Sequence, residues 1–366
     1  MSAGTGIALF VAAIFVMIVV HEFGHYITAR VFGIKVEQFF IGFGPKLFSW
    51  RRGDTEYGLK AILLGGYVRI AGMNPFETIP EEDRPRTFGA KPAWQRAIVL
   101  VAGSATHLVM GFVVMLVVFA SVGLPGFFTR LADVDPAGAG HAAGFAVGDR
   151  VLSVDGEEID TFIDLRDMVV DSAGKTLTVV VERDGEEVTL KATPQAVTDG
   201  PEGRPEGRLG LRAVDKESLG AALPAAIRYT GEYVVGSISG IGRVFSPSGM
   251  SGIFKSLGGD GERGPDQPMS LVGGGRVAGR AASAGEFGIV LTLIANIIIF
   301  VGVINLAPLP PLDGGHLLLL LIEKIRGRAV DARKVVPVAA VVLTFFLILT
   351  VALVYLDIAR PIRSPF

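Results

Sequence analysis

His21, Glu22 and His25 stand in the run FVMIVVHEFGHYITARVFG, residues 15–33. The flanking residues are apolar enough to cross a bilayer. An ionisable group in such a span costs roughly 2.5–3.5 kcal/mol on insertion scales, so two histidines and a glutamate there are functional candidates. His21 and His25 are four residues apart, which places both imidazoles on one helix face, one turn apart. Imidazole nitrogen binds zinc at about 2.0–2.1 Å in tetrahedral geometry, so the pair can share one Zn2+ ion. Glu22, beside His21, can act as general base and proton shuttle for a water held on that metal. This is the H-E-x-x-H arrangement of hydrolytic zinc sites.

Two histidines leave such a site short of a ligand, because a catalytic zinc usually has three protein ligands and an open water position. The chain has no cysteine, so the third must come from His, Asp or Glu. Asp313 is the candidate, in the segment NLAPLPPLDGGH, residues 305–316. Pro308, Pro310 and Pro311 interrupt the helix there, and Gly314 and Gly315 allow close backbone approach. Irregular backbone at membrane depth is tolerated only when it is buried in protein or lines a cavity. A second reading makes Asp313 the N-cap of the following helix, and the two roles are compatible. Asn305 can hold an extended substrate backbone or a developing oxyanion.

The elements that must position these residues are helices. The chain has 366 residues, half of them hydrophobic, and a formal net charge of −2, which points to a membrane protein with no nucleic-acid partner. Four segments reach the length of about 20 residues that a span requires: approximately 7–32, 97–123, 286–308 and 335–357. The first lacks a basic leading region and an A-x-A site, so it reads as a retained span. Lys and Arg are dense between Arg30 and Arg96 and again between Lys324 and Lys334, which marks both segments as cytoplasmic. Both termini and the long region between spans two and three then lie outside the cytoplasm, with Arg360 and Arg363 a mild counter-signal.

The fold class expected is a polytopic α-helical membrane protein with four transmembrane helices, a membrane-associated β-hairpin and an extracytoplasmic PDZ-like domain. Residues 1–34 hold the first transmembrane helix. Residues 35–96 read as the hairpin, with RRGD at its turn, and a Pro-rich cytoplasmic loop, a small cytoplasmic β-domain being the other reading of the hairpin segment. Residues 97–123 are the second span. Residues 124–215 have the composition of a soluble domain, with a helix whose Phe162, Leu165, Met168 and Val169 share a face and a hairpin bent at Asp184-Gly185. Residues 216–285 read as an amphipathic helix, over 219–245, and an irregular Gly-rich linker. Residues 286–334 carry the third span, the LDGG segment and a basic loop, and 335–366 the fourth span and tail.

The succession PAGAGHAAGFAVGDRVLSVDGEEI resembles PDZ domains of bacterial envelope proteases, which implies either a peptide ligand taken up as an added strand or a packing or size-filter domain that binds none. HEFGH, GFGPKL and LLGGYV in the hairpin, the PDZ-like insert and NLAPLPPLDGGH occur in that order. Together they resemble the bacterial site-2 protease family of zinc intramembrane metalloproteases, in the four-span branch that includes the regulator-of-sigma-E protease. The resemblance implies His21, His25 and Asp313 as zinc ligands and Glu22 as catalytic acid/base. It implies that the hairpin presents substrate along residues 60–70, here with Gly65, Gly66 and Tyr67, and that Asn305 contacts substrate. It implies an enzyme of the bacterial inner membrane acting in regulated intramembrane proteolysis. Its substrates would be single-span membrane proteins, such as pre-trimmed anti-sigma factors or remnant signal peptides.

There are departures. Many relatives carry Gly-Pro-x-x-Asn in the second span, where this chain reads GSATH, Gly103 to His107. His107 can replace the asparagine, wall the site, or be a satisfied intramembrane histidine. Only one PDZ-like unit is visible, and His316 fits the motif more as a supporting residue than a ligand. Two other classes compete: a non-catalytic scaffold, which the intact HEFGH disfavours, and a metal transporter, for which a PDZ-like insert and a hairpin are not expected.

Overall fold

The structure, a computed structural model, describes residues 2–74, 76–197, 205–258, 267–328 and 330–360. The Gly/Pro-rich residues 198–204, part of the Gly-rich linker at 259–266 and Arg363 in the tail lie outside the described residues. Two compact units are present, residues 1–115 with 227–366, and residues 116–226.

In the first unit, α1 (Ala3–Val31) carries HEFGH in its second half. Ser2 caps it, its hydroxyl accepting from the Thr5 N–H at 3.2 Å. Strands β1 (Val36–Arg52) and β2 (Thr55–Ile70) form the expected hairpin about the turn at Gly53, and α2 (Ala93–Val117) follows a loop. Both strands bend. Residues 38–41 take partners at 66–69 on one side and at 56–59 on the other. Gly42 and Gly44 adopt positive φ at the bend, where a Cβ at Gly42 would lie 2.8 Å from the Ile62 carbonyl oxygen. The hairpin is tied to α1 by the Tyr26–Tyr57 hydroxyl contact at 2.5 Å. Ion pairs Lys35–Asp83, Arg86–Asp54 and Arg69–Glu77 fasten it to the loop that follows. Phe43, Leu47, Phe48, Trp50 and Ile62 remain exposed on it, an apolar surface suited to lipid or to a membrane segment.

The second unit is β-rich. It holds β3 (Leu131–Val134), α3 (Ala139–Ala142), β4 (Arg150–Val154), β5 (Glu157–Glu158), α4 (Phe162–Val170), β6 (Leu177–Arg183), β7 (Glu186–Ala192), β8 (Gln195–Val197), β9 (Glu206–Arg208) and β10 (Leu211–Ala213). The main sheet has the order β5-β4-β6-β7, and β10 pairs with β3, β8 with β9. Leu177, Val179 and Val181 alternate into the core, as the period of a half-buried strand requires. Asp184 and Gly185 both take positive φ, the turn anticipated from the Asp-Gly pair. Helix α4 starts with a capping box between Thr161 and Asp164, and buries Leu165 and Val169 while Phe162 and Met168 pack partly against the core.

One ion pair in this unit is buried. The Asp149 side chain is fully covered, and its two oxygens accept from Arg183 at 2.7 Å each and from the Ala146 N–H at 2.9 Å. Burial alone would raise the Asp149 carboxyl, but the Arg183 and Ala146 hydrogen bonds outweigh it and hold it below the usual carboxylate range. Its contribution to stability is therefore present above the ordinary carboxylate pKa and is lost as pH falls through the lowered value. Arg183→Met leaves a buried carboxylate unpaired, and should cost about 3 kcal/mol at neutral pH. Hydrogen exchange of β4 and β6 amides should speed up in the variant, and the gap to wild type should narrow on acidification. Equal exchange at pH 7 would mean that the pair contributes nothing.

The chain then forms α5 (Leu219–Val244), α6 (Pro247–Gly258), α7 (Leu271–Ser283), α8 (Phe287–Asn305), α9 (Asp313–Arg326) and α10 (Ala332–Ala359). Residues 246–285 are thus largely helical among the described residues, not the irregular linker expected from their glycine content. In α7 the small residues fall on one face: Gly274, Ala278, Gly279 and Ala282 are buried, against Gly6, Ile7 and Phe10 of α1. A Cβ at Gly6 would lie 2.6 Å from the Ala278 carbonyl oxygen, so the helices meet backbone to backbone. Small residues three and four apart permit that approach, as in membrane helix pairs.

Four helices are long and apolar enough to cross a membrane: Ala3–Val31, Ala93–Val122, Phe287–Asn305 and Arg333–Ala359. Val341, Leu343, Leu347, Ile348 and Val351 of α10 are exposed, an apolar surface suited to lipid.

Candidate metal centre

Three side chains converge from two helices. His21 and His25 project from α1, one turn apart, and Asp313 is the first residue of α9. The Nε2 atoms of the two imidazoles are 3.2 Å apart. Asp313 Oδ2 lies 3.5 Å from His21 Nε2 and 3.3 Å from His25 Nε2. They form one cluster of donor atoms of the kind that holds a metal ion.

The local sequence explains the convergence. Leu312, not Asp313, is the N-cap of α9, so the capping alternative does not hold and the Asp313 carboxylate is turned to the histidines. Gly314 and Gly315 are required by contact. A Cβ at Gly314 would lie 2.5 Å from the Ala307 carbonyl oxygen, and one at Gly315 2.5 Å from the Leu309 carbonyl carbon. The first turn of α9 therefore presses on the proline loop, and that fixes where its carboxylate points. Arg96 of α2 clamps the other end of α9 through a two-pronged pair with Glu323, at 2.7 and 3.1 Å.

Helix α2 backs the imidazoles. His25 Nδ1 lies 2.7 Å from the Val99 carbonyl oxygen. A carbonyl only accepts, so Nδ1 carries the proton and Nε2 presents a lone pair. Gly103 makes room for the rings: a Cβ there would lie 2.6 Å from His21 Cε1 and would also strike His25 Nε2. The sequence offered Gly103 only as part of a departing motif. Its spacing of four from His107 placed both on one face of α2, which was the available signal.

The donor set fits zinc. Tetrahedral bonds of about 2.0–2.1 Å put ligand atoms about 3.3–3.4 Å apart, and the triangle measured above has edges of 3.2, 3.3 and 3.5 Å. Two imidazole nitrogens and a carboxylate oxygen at that spacing could hold a cation between them. Asp313 Oδ2 and His21 Nδ1 are buried without a hydrogen-bond partner among the described residues.

Glu22 sits between this triangle and the hairpin. Its Cγ would lie 3.1 Å from a Cβ at Gly66, and its carboxylate meets the Val68 backbone N–H. Gly65 adopts φ +120, with the Phe43 ring against it. Tyr67 is committed to the sheet, its ring stacked on Phe40 and its hydroxyl donating to Gln38 Oε1 at 3.1 Å, so only its backbone is available to a partner. Asn305 is the last residue of α8 and its side chain has no hydrogen bond among the described residues. His316 lies in the first turn of α9, outside the metal cluster.

Peptidase family M50 matches residues 9–350. The chain belongs to peptidase family M50. The chain is 30% identical over 403 residues to the zinc metalloprotease Rip1 of Mycobacterium tuberculosis, covering 98% of each protein. It is 33% identical over 374 residues to Rip1 of Mycolicibacterium smegmatis, covering 93% of this chain and 91% of the relative. It is 32% identical to the metalloprotease MmpA of Caulobacter vibrioides, over 87% of this chain and 86% of that protein. Family membership carries the enzyme class: a metalloendopeptidase of the site-2 protease type and a multi-pass membrane protein, with zinc as the metal that its relatives' names state. Among solved structures, the PDZ domain of an SdrC-like protein from Listeria monocytogenes matches 23% of this chain and 87% of its own, at 15% identity and a TM-score of 0.20, a likeness that carries no argument.

Proposed function

We propose that this M50 enzyme cuts single-span membrane proteins within the bilayer, with His21, His25 and Asp313 holding zinc and Glu22 handling the proton. The observation that carries it is the triangle of donor atoms beside Glu22, two of them on a helix long and apolar enough to cross a membrane. Zinc, when bound, supplies Lewis acidity that polarises the peptide carbonyl and makes water a nucleophile near neutral pH. The Glu22 carboxylate takes a proton from the attacking water and returns it to the leaving amine nitrogen. The cut segment must be extended, because a helical peptide bond is closed in its own hydrogen bonds. The β2 edge at Gly65, Gly66 and Tyr67, lying against Glu22, pairs with it as an added strand. Asn305 holds its backbone or the oxyanion.

The distribution of Lys and Arg supports a topology with the hairpin and the basic α9–α10 junction, 324–334, on the cytoplasmic side and both termini outside, and the family resemblance implies the inner membrane. The 116–226 unit then faces away from the cytoplasm. We read it as the PDZ-like domain, and its groove of about 370 Å³ between α4 and the β9–β10 segment, with Phe162, Leu165, Val169, Leu209 and Leu211 on its walls and Arg166, Glu206 and Arg208 beside them, suits a peptide with apolar side chains. Pre-trimmed anti-sigma factors or remnant signal peptides are the substrate classes that the family resemblance implies.

The test is cleavage of a fluorescent single-span protein in lipid vesicles. Fragments cut inside the span should appear, disappear on chelation and return with added zinc. Cuts confined to the soluble flanks, or cuts indifferent to the chelator, would overturn the reading.

A further inference from the structure

Among the described residues, six buried side-chain polar atoms have no hydrogen-bond partner. Four of them belong to the metal cluster or to the turn of α2 packed on it: His21 Nδ1, Ser104 Oγ, His107 Nε2 and Asp313 Oδ2. A buried unsatisfied group costs about 1–3 kcal/mol, so a group of them needs a reason.

Their chemistry is complementary. His107 Nδ1 lies 3.1 Å from the Ile298 carbonyl oxygen. It must donate there, which leaves Nε2 as a bare acceptor. His21 directs Nε2 to the triangle with His25 and Asp313, and with that nitrogen given to a metal its proton sits on Nδ1, a donor. That Nδ1 lies beside the Gly103 backbone without a hydrogen bond of ordinary geometry. The His21 and His107 rings stand edge to face with centroids 4.9 Å apart. Ser104, three residues before His107 on α2, can donate or accept. His107 is 1% exposed, and its place is built for it: a Cβ at Gly302 would lie 2.7 Å from the His107 Cβ.

We propose that His107 is the positioning residue for His21: its Nε2 accepts the His21 Nδ1–H hydrogen bond through one buried water that Ser104 also holds. A donor, an acceptor and a hydroxyl are the set that such a water needs. The bond fixes the tautomer and ring plane of His21, as partners of metal-bound histidines do in general. Helix α2 then orients both imidazoles, His25 through the Val99 carbonyl and His21 through His107. This inference rests on the reading that the triangle holds zinc.

The experiment is zinc affinity of the detergent-purified full chain, by competition with a chromophoric chelator, alongside melting of the metal-free forms. Wild type, His107→Phe, His107→Gln and Ser104→Ala are compared. His107→Phe should bind zinc about 10- to 100-fold more weakly. His107→Gln, whose side-chain oxygen accepts, should recover most of the loss. Ser104→Ala should shift affinity the same way by less. Wild-type affinity in His107→Phe would overturn the proposal and leave the Gly103 backbone as the only support of His21. Equal losses in the Phe and Gln variants would overturn it too, showing a role of shape alone. If His107→Phe does not fold, Ser104→Ala decides: unchanged affinity sinks the water bridge. A wild type that binds no zinc fails the triangle itself, and this inference falls with it.

Discussion

Glu22→Gln should lower turnover of a membrane-embedded substrate by about 10³- to 10⁴-fold and leave zinc content unchanged. The substitution keeps size and hydrogen-bonding shape but removes the group that can hold a proton. Glu22 is absent from the metal cluster, so its loss does not subtract a donor atom. It lies instead between that cluster and the hairpin edge at Gly66 and Val68, where the scissile peptide is proposed to pair. Proton transfer by a positioned carboxylate is worth about 10²- to 10⁴-fold, and the upper range applies where water is scarce and no solvent base can substitute. Single-turnover cleavage in vesicles together with elemental analysis of the same preparation would check both halves. A variant that stays active moves the proton chemistry elsewhere, and one that loses zinc shows that Glu22 supports the metal.

Much of this arrangement could be read from the chain because membrane burial makes polar residues conspicuous. His21, Glu22, His25 and Asp313 stand out against apolar runs, and the donor spacing was implied by the i, i+4 interval on a helix. The hairpin and the Asp-Gly turns were legible for the same local reason, a two-residue period closed by residues that tolerate positive φ. What escaped was long-range contact. Glycine in α7 read as a loop signal, but packing against Gly6 and Phe10 of α1 overrides its low helix propensity. Gly103 read as one letter of an altered motif, although its missing Cβ is what admits two imidazole rings. The Val99 carbonyl leaves no sequence signal at all, since any residue supplies one. Asp313 also read as a helix cap beside its favoured role as a ligand, and the position of Leu312 removes the cap.

These escapes have a common source. Helix α2 carries neither HExxH nor the aspartate, yet it supplies the Val99 acceptor, the Gly103 gap and the Arg96 clamp on Glu323. It acts as a template on which α1 and α9 are registered. A site split between distant segments needs such a third element, because side-chain donors must be held within about 0.5 Å of their working geometry.

Asp313→Ala should weaken zinc binding by more than about 100-fold, beyond the range seen when only an outer partner of a ligand is removed. Two imidazoles 3.2 Å apart would remain, with no anion to complete the set or offset the charge of the cation. The loss should not come from unfolding. Leu312 holds the N-cap position and no side chain caps α9, so the variant loses no cap and forfeits only the favourable placement of a carboxylate in the first turn, worth about 0.3–1 kcal/mol. The Arg96–Glu323 clamp still holds the far end of that helix. Asp313→Asn should fall between, since its oxygen is a weaker neutral donor at the same place. Zinc measured in purified wild type, Asp313→Ala and Asp313→Asn, with melting of the metal-free proteins, separates a lost ligand from a lost fold. Equal zinc in all three would remove Asp313 from the ligand set. His107, with a bare buried nitrogen and its ring against that of His21, would then be the next donor to change.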